Sequence, residues 1–397
     1  MASSKSIFAL DLGTTKFCIA VLDPLESSDK IKLCEVPAKG MKRGMLSDFA
    51  EAQVALTDLV EKAENDLGID LRKIVVGVAG SHLKGSTLYK EIAIQESFIR
   101  QRHIDDLTHE VESLSRGNDR ELLHCIPVEF KVDSREAIPN PIGLSGAKLT
   151  GRYFLIDADK NYLKDLVRLC NQCGLEVEQL FSEPFASASV TVHDHLKNLG
   201  VAVADIGGGT TDGIIFQNGR PVDMFTINTA GNHVNRDLSV GLNIPIVEGL
   251  KLKEEYGLSD LPSSVHITDI HGQTLDADRE QIENILQARI LELGKYMFHA
   301  LVSHQGNLGG GIILTGGGSR LKGIDHFLAG KFGISVRSQC PSLPMSQMSQ
   351  DFSSRHATAI GLLNLEYGRR QVLGFDESSF WPKKYFSQFV NWVRDLS

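Results

Sequence analysis

"IFALDLGTTKFCIAVLD" (Ile7–Asp23) and "VAVADIGGGTTDGIIFQNG" (Val201–Gly219) follow one plan. Each has an apolar run, an Asp, a Gly/Thr turn and a second apolar run. Apolar runs flanking a Gly-containing turn predict a β-hairpin, which places Asp11 and Asp205 at matching strand ends. The second copy reads as carrying two extra glycines. A strand–turn–strand unit repeated once, far apart, predicts two related domains facing each other rather than a short-period solenoid.

Working outward, Ile31–Val36 reads as a third strand. Asp48 opens a helix that runs to Leu67, with Glu51 three residues on, an apolar face from Ala52 to Leu67, and Gly68 as its stop. "KIVVGVAG" (Lys73–Gly80) reads as a short buried strand, and Asp278 opens a long helix ending near Val302. Between Gly80 and Gly151 the pattern changes to a helix, a strand and a Pro/Gly-rich loop, so residues 81–152 read as an insert.

The chain has 397 residues, 42% of them hydrophobic and 23% charged, which allows two or more ordinary globular domains. The net charge of −9 argues against a general nucleic-acid binder. The first apolar run is broken by Asp11, which does not fit a secretory signal, and no segment approaches the ~18 apolar residues of a membrane span. A cytosolic protein is the expectation. Of six cysteines only Cys170 and Cys173 have metal-like spacing. One such pair falls short of the about four ligands of a zinc site, so packed thiols are expected.

In "DLGTTK", backbone amides, two hydroxyls and the Lys16 ammonium surround one point. A tight turn of this kind holds phosphate as a nest. Gly13, Thr14, Thr15 and Lys16 are the candidate phosphate ligands, and Asp11 suits Mg²⁺, which keeps its waters and takes few carboxylates. A plain hairpin turn with a capping Asp explains the hexapeptide almost as well. "ADIGGGTTD" is a second cradle, with Gly207, Gly208, Gly209, Thr210, Thr211 and Asp212 as phosphate candidates and Asp205 as a second acid. Two facing cradles would clamp phosphates and metal between domains. In "GGGIILTGGGSRLKG" the turn Gly316, Gly317, Gly318 and Ser319 would let a flat base lie on the backbone; a structural strand-to-helix turn is the alternative.

Taken in order, these three turns resemble the phosphate and adenosine motifs of the actin/heat-shock-chaperone/sugar-kinase superfamily. "SEPFASASV" and "RHATAIGLLNL" resemble its connecting segments. Within the superfamily the sequence is similar to the FtsA family of bacterial cell-division proteins. "ELLHCIPVEFKVD" and "REAIPNPIGLSGAKLTG" resemble that family's own extra subdomain. The resemblance implies an α/β, actin-like fold of two related domains around a nucleotide cleft. Its parts are a first core (1–80 and 153–192), the insert (81–152), a second core (193–230 and 307–368), an outer, partner-docking subdomain (231–306) and a linker (369–379). It implies ATP and Mg²⁺ as cofactors, with Glu248 and Lys251 beside the nucleoside, Mg²⁺ held by Asp11 and Asp205 through water, and Glu183 where an acid orients water. It implies Arg289 near the docking surface for the C-terminal tail of tubulin-like FtsZ, self-assembly into filaments, and later division proteins on the insert. Any ATPase activity is expected to be slow. The other readings are a small-molecule kinase of the superfamily and an actin-like pilus-assembly module.

The last stretch, "SSFWPKKYFSQFVNWVRDLS", holds both tryptophans. On a helix, Trp381, Tyr385, Phe389, Trp392, Val393 and Leu396 fall in a sector of about 120°, with Phe386 at its edge. With Phe380, they read as an amphipathic helix over 380–397 that lies in the plane of a membrane with anionic lipids. A tether of this kind would place the protein on the inner face of the cell membrane at the division site.

Overall fold

The computed structural model describes residues 6–22, 31–115, 117, 119–259, 261–343 and 352–374. The tail helix expected over 380–397, with Phe380, Trp381, Tyr385, Phe386, Phe389, Trp392, Val393 and Leu396, lies outside the described residues.

The chain begins with the expected hairpin, β1 (Ile7–Leu12) and β2 (Lys16–Leu22), followed by β3 (Lys32–Pro37). A small hairpin, β4 (Met41–Lys42) and β5 (Met45–Leu46), leads into helix α1 (Phe49–Leu67). The Asp48 side chain caps α1 by accepting from the Glu51 amide, and Gly68 ends it at φ 64°. Such an N-cap contributes about 1 kcal/mol. Strand β6 (Lys73–Val78) then joins β1 in parallel.

The insert follows as β7 (Lys84–Ala93), α2 (Gln101–Leu114), β8 (Arg120–Val132), β9 (Arg135–Ile138) and β10 (Lys148–Asp159). It builds its own sheet in the order β7-β10-β8-β9. Ile104, Leu107 and Val111 of α2 pack on Phe130, Leu149 and Tyr153. Strand β10 runs on to Asp159, past the border expected at residue 152, because its whole length pairs with β7 and β8.

The first core resumes with α3 (Lys160–Gln172), β11 (Glu176–Ser182) and α4 (Glu183–Thr191), and α5 (Asp194–Leu199) leads into the second. The second repeats the plan: β12 (Val201–Ile206), β13 (Thr211–Gln217) and β14 (Arg220–Ile227). The outer part holds α6 (Gly231–Leu242), α7 (Ile246–Glu255), β15 (Ser264–Thr268), β16 (Thr274–Asp278) and α8 (Arg279–Leu301). The chain returns through β17 (Ile312–Thr315), α9 (Ile324–Phe332), β18 (Val336–Ser338) and α10 (Ala357–Gly374).

The two main sheets share one topology. The first runs β11-β6-β1-β2-β3 and the second, read from the other edge, β18-β17-β12-β13-β14. In each, an antiparallel hairpin sits beside a parallel strand. Strands covered on both faces are continuously apolar, and β1 is buried along its length. Leu10 faces Leu56, Leu59 and Leu163, while Ile7 and Ala9 face Ile360 and Leu363 of α10.

Register corrects one expectation. Leu12 pairs with Phe17, and Ile206 pairs with Thr211. The closing turns, 13–16 and 207–210, are therefore equal in length. The second has no extra residues; glycines stand where the first has Thr14 and Thr15. A second correction concerns the linker expected over 369–379: α10 continues to Gly374. Arg369 and Arg370 are not solvated linker charges. They grip the carboxylate of Glu366, which is 0% exposed, and Arg370 also reaches Glu178 and the Ser6 carbonyl.

Candidate functional site

The two hairpin turns meet across a cleft between the sheets. Asp11, Gly13–Lys16, Asp205, Gly207–Thr210, Asp212 and Gly316–Gly318 all line it. The approach is close: a Cβ on Gly208 would lie 1.9 Å from Thr15 Oγ1. Thr14 Oγ1 accepts from the Gly44 amide at 3.1 Å, which ties the first turn to the tip of the β4–β5 hairpin.

Carboxylates dominate the floor. Lys16 Nζ sits 3.3 Å from Asp11 Oδ2. Desolvation pulls the Lys16 pKa down, but Asp11, with help from Cys18 and Glu35, outweighs it and leaves the ammonium more firmly charged than usual. Asp205 accepts from Thr358 Oγ1 at 3.1 Å. Desolvation first, then the Asp11 charge, pushes Asp205 up to about 7. Asp212 accepts from Thr210 Oγ1 at 2.7 Å and Thr226 Oγ1 at 2.6 Å. These bonds only partly offset the desolvation that raises it. Glu183 opens α4 and lines the same cleft. Desolvation, then Asp11, Asp212 and Asp205, push its carboxyl well above the ordinary range, against Lys16.

Asp11, Glu183, Asp205 and Asp212 thus share the space with Lys16. The neighbouring carboxylate charges help raise Glu183 and Asp205, as like charges held out of water do, and an added cation relieves this. Among the described residues no three His, Cys, Asp or Glu groups converge closely enough to ligate a metal directly. The donor set fits a hard cation that keeps its waters and takes few carboxylates. Cys170 and Cys173 form no such cluster; Cys170 is buried, and Cys173 accepts from Thr57 Oγ1 at 3.5 Å.

Comparison with known proteins gives this geometry a family. Residues 80–156 match the model described as "SHS2 domain inserted in FTSA", and residues 202–361 match "Cell division protein FtsA". The chain belongs to the FtsA family. It is 28% identical to the cell division protein FtsA of Buchnera aphidicola subsp. Baizongia pistaciae, covering 98% of each chain. It is 25% identical to FtsA of Escherichia coli K12, covering 99% of this chain and 97% of that one. Among solved structures, a PilM–PilN type IV pilus biogenesis complex aligns with TM-score 0.62 at 15% identity, over 91% of this chain and 98% of that one. MreB5 of Spiroplasma citri bound to ADP aligns with TM-score 0.58 at 15% identity, over 94% and 99%. These likenesses carry the fold alone, an actin-like one, and the insert is the part that matches the SHS2 model. The protein is an actin-like cell-division protein.

The FtsA-family fold does not bring every expected residue to the cleft. Thr211 points away and donates to the Thr229 carbonyl at 2.8 Å, which fixes the β13–β14 end. Ser319 braces its own turn by donating to the Gly316 carbonyl at 2.8 Å. Glu248 and Lys251 pair with each other at 2.5 Å, off the cleft. Lys253 and Glu254 line it instead. Lys253 is four residues from Gly249 and shares its helix face, and it is the burial of Gly249 in the packed structure that turns this face inward. Asn235, Arg320, Arg355 and Thr358 also line the cleft, Arg320 from the third glycine-turn stretch and Arg355 and Thr358 from "RHATAIGLLNL". Arg289 clasps Asp237 of α6 through Nε at 2.5 Å and Nη2 at 3.0 Å, and also pairs with Glu292, so its fork is engaged within the chain. Among the described residues no helix is long and apolar enough to cross a membrane.

Proposed function

We propose that the protein binds ATP with Mg²⁺ in this cleft, assembles with copies of itself, and ties an FtsZ-type filament to the membrane. The observation that carries the nucleotide reading is the pair of facing turns: amides and hydroxyls of residues 13–15 and 207–210 around Lys16, above Asp11 and Asp205. Converging amides and one point charge suit phosphate oxygens. Asp11 and Asp205 would hold the hydrated Mg²⁺, which neutralises phosphate charge when bound. Lys16 contacts phosphate, Lys253 and Glu254 flank the sugar, and the Gly316–Gly318 turn receives the base. Glu183 orients water, and hydrolysis is slow.

The remaining parts rest on the family and on sequence. The helix over 380–397 lies flat in a membrane with anionic lipids, on the cytoplasmic face at the division site. FtsZ engages the outer subdomain with its C-terminal tail, and later division proteins engage the insert. One tail binds reversibly, and a row of tails on a polymer binds firmly through effective concentration. Deleting residues 380–397 should leave ATP binding intact and abolish pelleting with liposomes. Persistent pelleting would sink the tether, and a full chain that binds no Mg·ATP would sink the nucleotide reading.

A further inference from the structure

One imidazole of the insert packs on the β11–α4 junction, from which Glu183 enters the cleft. His124 on β8 sits against two rings of the first core, 5.8 Å from Phe181 and 5.0 Å from Phe185 between centroids. Its Nε2 accepts the backbone N–H of Ser182 at 2.9 Å. Ser182 is the N-cap of α4, but its own side chain makes no cap bond. Its hydroxyl has no hydrogen-bond partner among the described residues. The junction between β11 and α4 is therefore pinned by a side chain from another subdomain, where helices usually rely on their own cap.

The residue after Ser182 is Glu183, the first of α4. Its carboxyl rests on the bare backbone of β6: a Cβ on Gly77 would lie 2.7 Å from Glu183 Oε1. Glu183 thus has a wall on one side and a pinned backbone at its root. An imidazole that accepts at Nε2 carries its proton on Nδ1 and is neutral. Desolvation pulls the His124 pKa down to about 3, so the acceptor persists across the working pH range. A phenyl ring would fill the same space between Phe181 and Phe185 but offers the amide no acceptor.

We propose that His124 is a positioning residue for Glu183, through which the inserted subdomain sets the carboxylate that directs water at the terminal phosphate. The proposal rests on the reading of the cleft as an ATP site. In the step concerned, the water oxygen bonds to the terminal phosphorus, the bridging P–O bond breaks toward ADP, and Glu183 takes the water proton. Misplacing a group near the reacting atoms costs about 100-fold in rate at the extreme, while ground-state binding changes little.

The test uses the full chain with Mg·ATP. Phosphate release gives the turnover, and displacement of a fluorescent nucleotide gives ATP and ADP affinity. His124→Phe keeps the ring and removes the acceptor; His124→Gln keeps an acceptor at the same reach. H124F should slow turnover at least about tenfold and leave both affinities within about threefold. H124Q should return to within about threefold of the wild-type rate. H124L replaces H124F if the phenyl variant does not fold. An H124F chain at the wild-type rate, or an H124Q chain as slow as H124F, overturns the proposal. So does a wild-type chain that binds ATP and releases no phosphate. A wild-type chain that binds no nucleotide is a different failure, that of the ATP reading itself.

Discussion

The two hairpins that face each other across the cleft are the same scaffold with different cargo. In both, the turn spans the same length and an Asp stands one pair before its close. Opposite Asp11 the first hairpin has Cys18; opposite Asp205 the second has Asp212. The first turn ends in Lys16, and the corresponding position of the second is Thr210. One hairpin brings the cation and the other brings close approach and a second carboxylate held by Thr210 and Thr226. The two hairpins share backbone register while their charges differ. A cleft between such copies can be asymmetric, as a ligand with a phosphate end and a base end requires.

The strongest way to break this comparison is to make the first hairpin imitate the second. Cys18 is 0% exposed, and its thiol is pushed up to about 12, mainly by desolvation. Cys18→Asp would bury a carboxylate beside Asp11 with no hydroxyl to receive it. A loss of roughly 3–5 kcal/mol is expected, read by urea unfolding; a near-native midpoint would show that the opposing position is equivalent in the two hairpins after all.

Removing the cation comes next. Lys16→Ala leaves Asp11 without its ammonium and the phosphates without their point charge. ATP affinity should fall by about 10- to 100-fold, measured by titration of a fluorescent analogue. If affinity holds, the division of labour between the hairpins is wrong.

Asp205 sharpens the contrast through pH. Its folded pKa, near 7, lies above the ordinary 3.8. A group raised on folding favours the fold below its unfolded pKa, and that stability is lost as pH rises through the folded value. In chain free of Mg²⁺ and nucleotide, Asp205→Asn should therefore stabilise at pH 8 by roughly 2–4 kcal/mol and have little effect near pH 3.5. The melting temperature across pH reads this directly. The same variant should bind Mg·ATP poorly. The smallest effect is expected from Thr226→Val, which removes one of the hydroxyls on Asp212. About 1 kcal/mol should be lost, read by thermal melting.

Much of the fold is legible in the sequence. The repeated Asp–Gly–Thr pattern carries the paired domains, because buried strands and a glycine turn leave a local signature. The Asp48 cap and Gly68 stop of α1 are local too, and both stand where the pattern places them. The site is legible only as far as its motifs. Glu248 and Lys251 have the right spacing on the wrong face of α7, since a period of 3.6 gives relative phase and the buried partners give its absolute value. Arg369 and Arg370 carry the composition of a linker, and only the 0% exposed carboxylate of Glu366 makes them part of α10.

By itself, then, the sequence determined the duplicated hairpin plan, the order of the three glycine turns and the acids and lysine of the two hairpins. Each is set by residues within one strand or turn. The tertiary structure alone decided the equal lengths of the two turns, the choice of Lys253 over Lys251, and the bond from His124 to the amide of Ser182. Those depend on register, on which helix face finds a neighbour, and on a contact between residues far apart in sequence. No local pattern encodes them, because each is fixed by the partner and not by the segment.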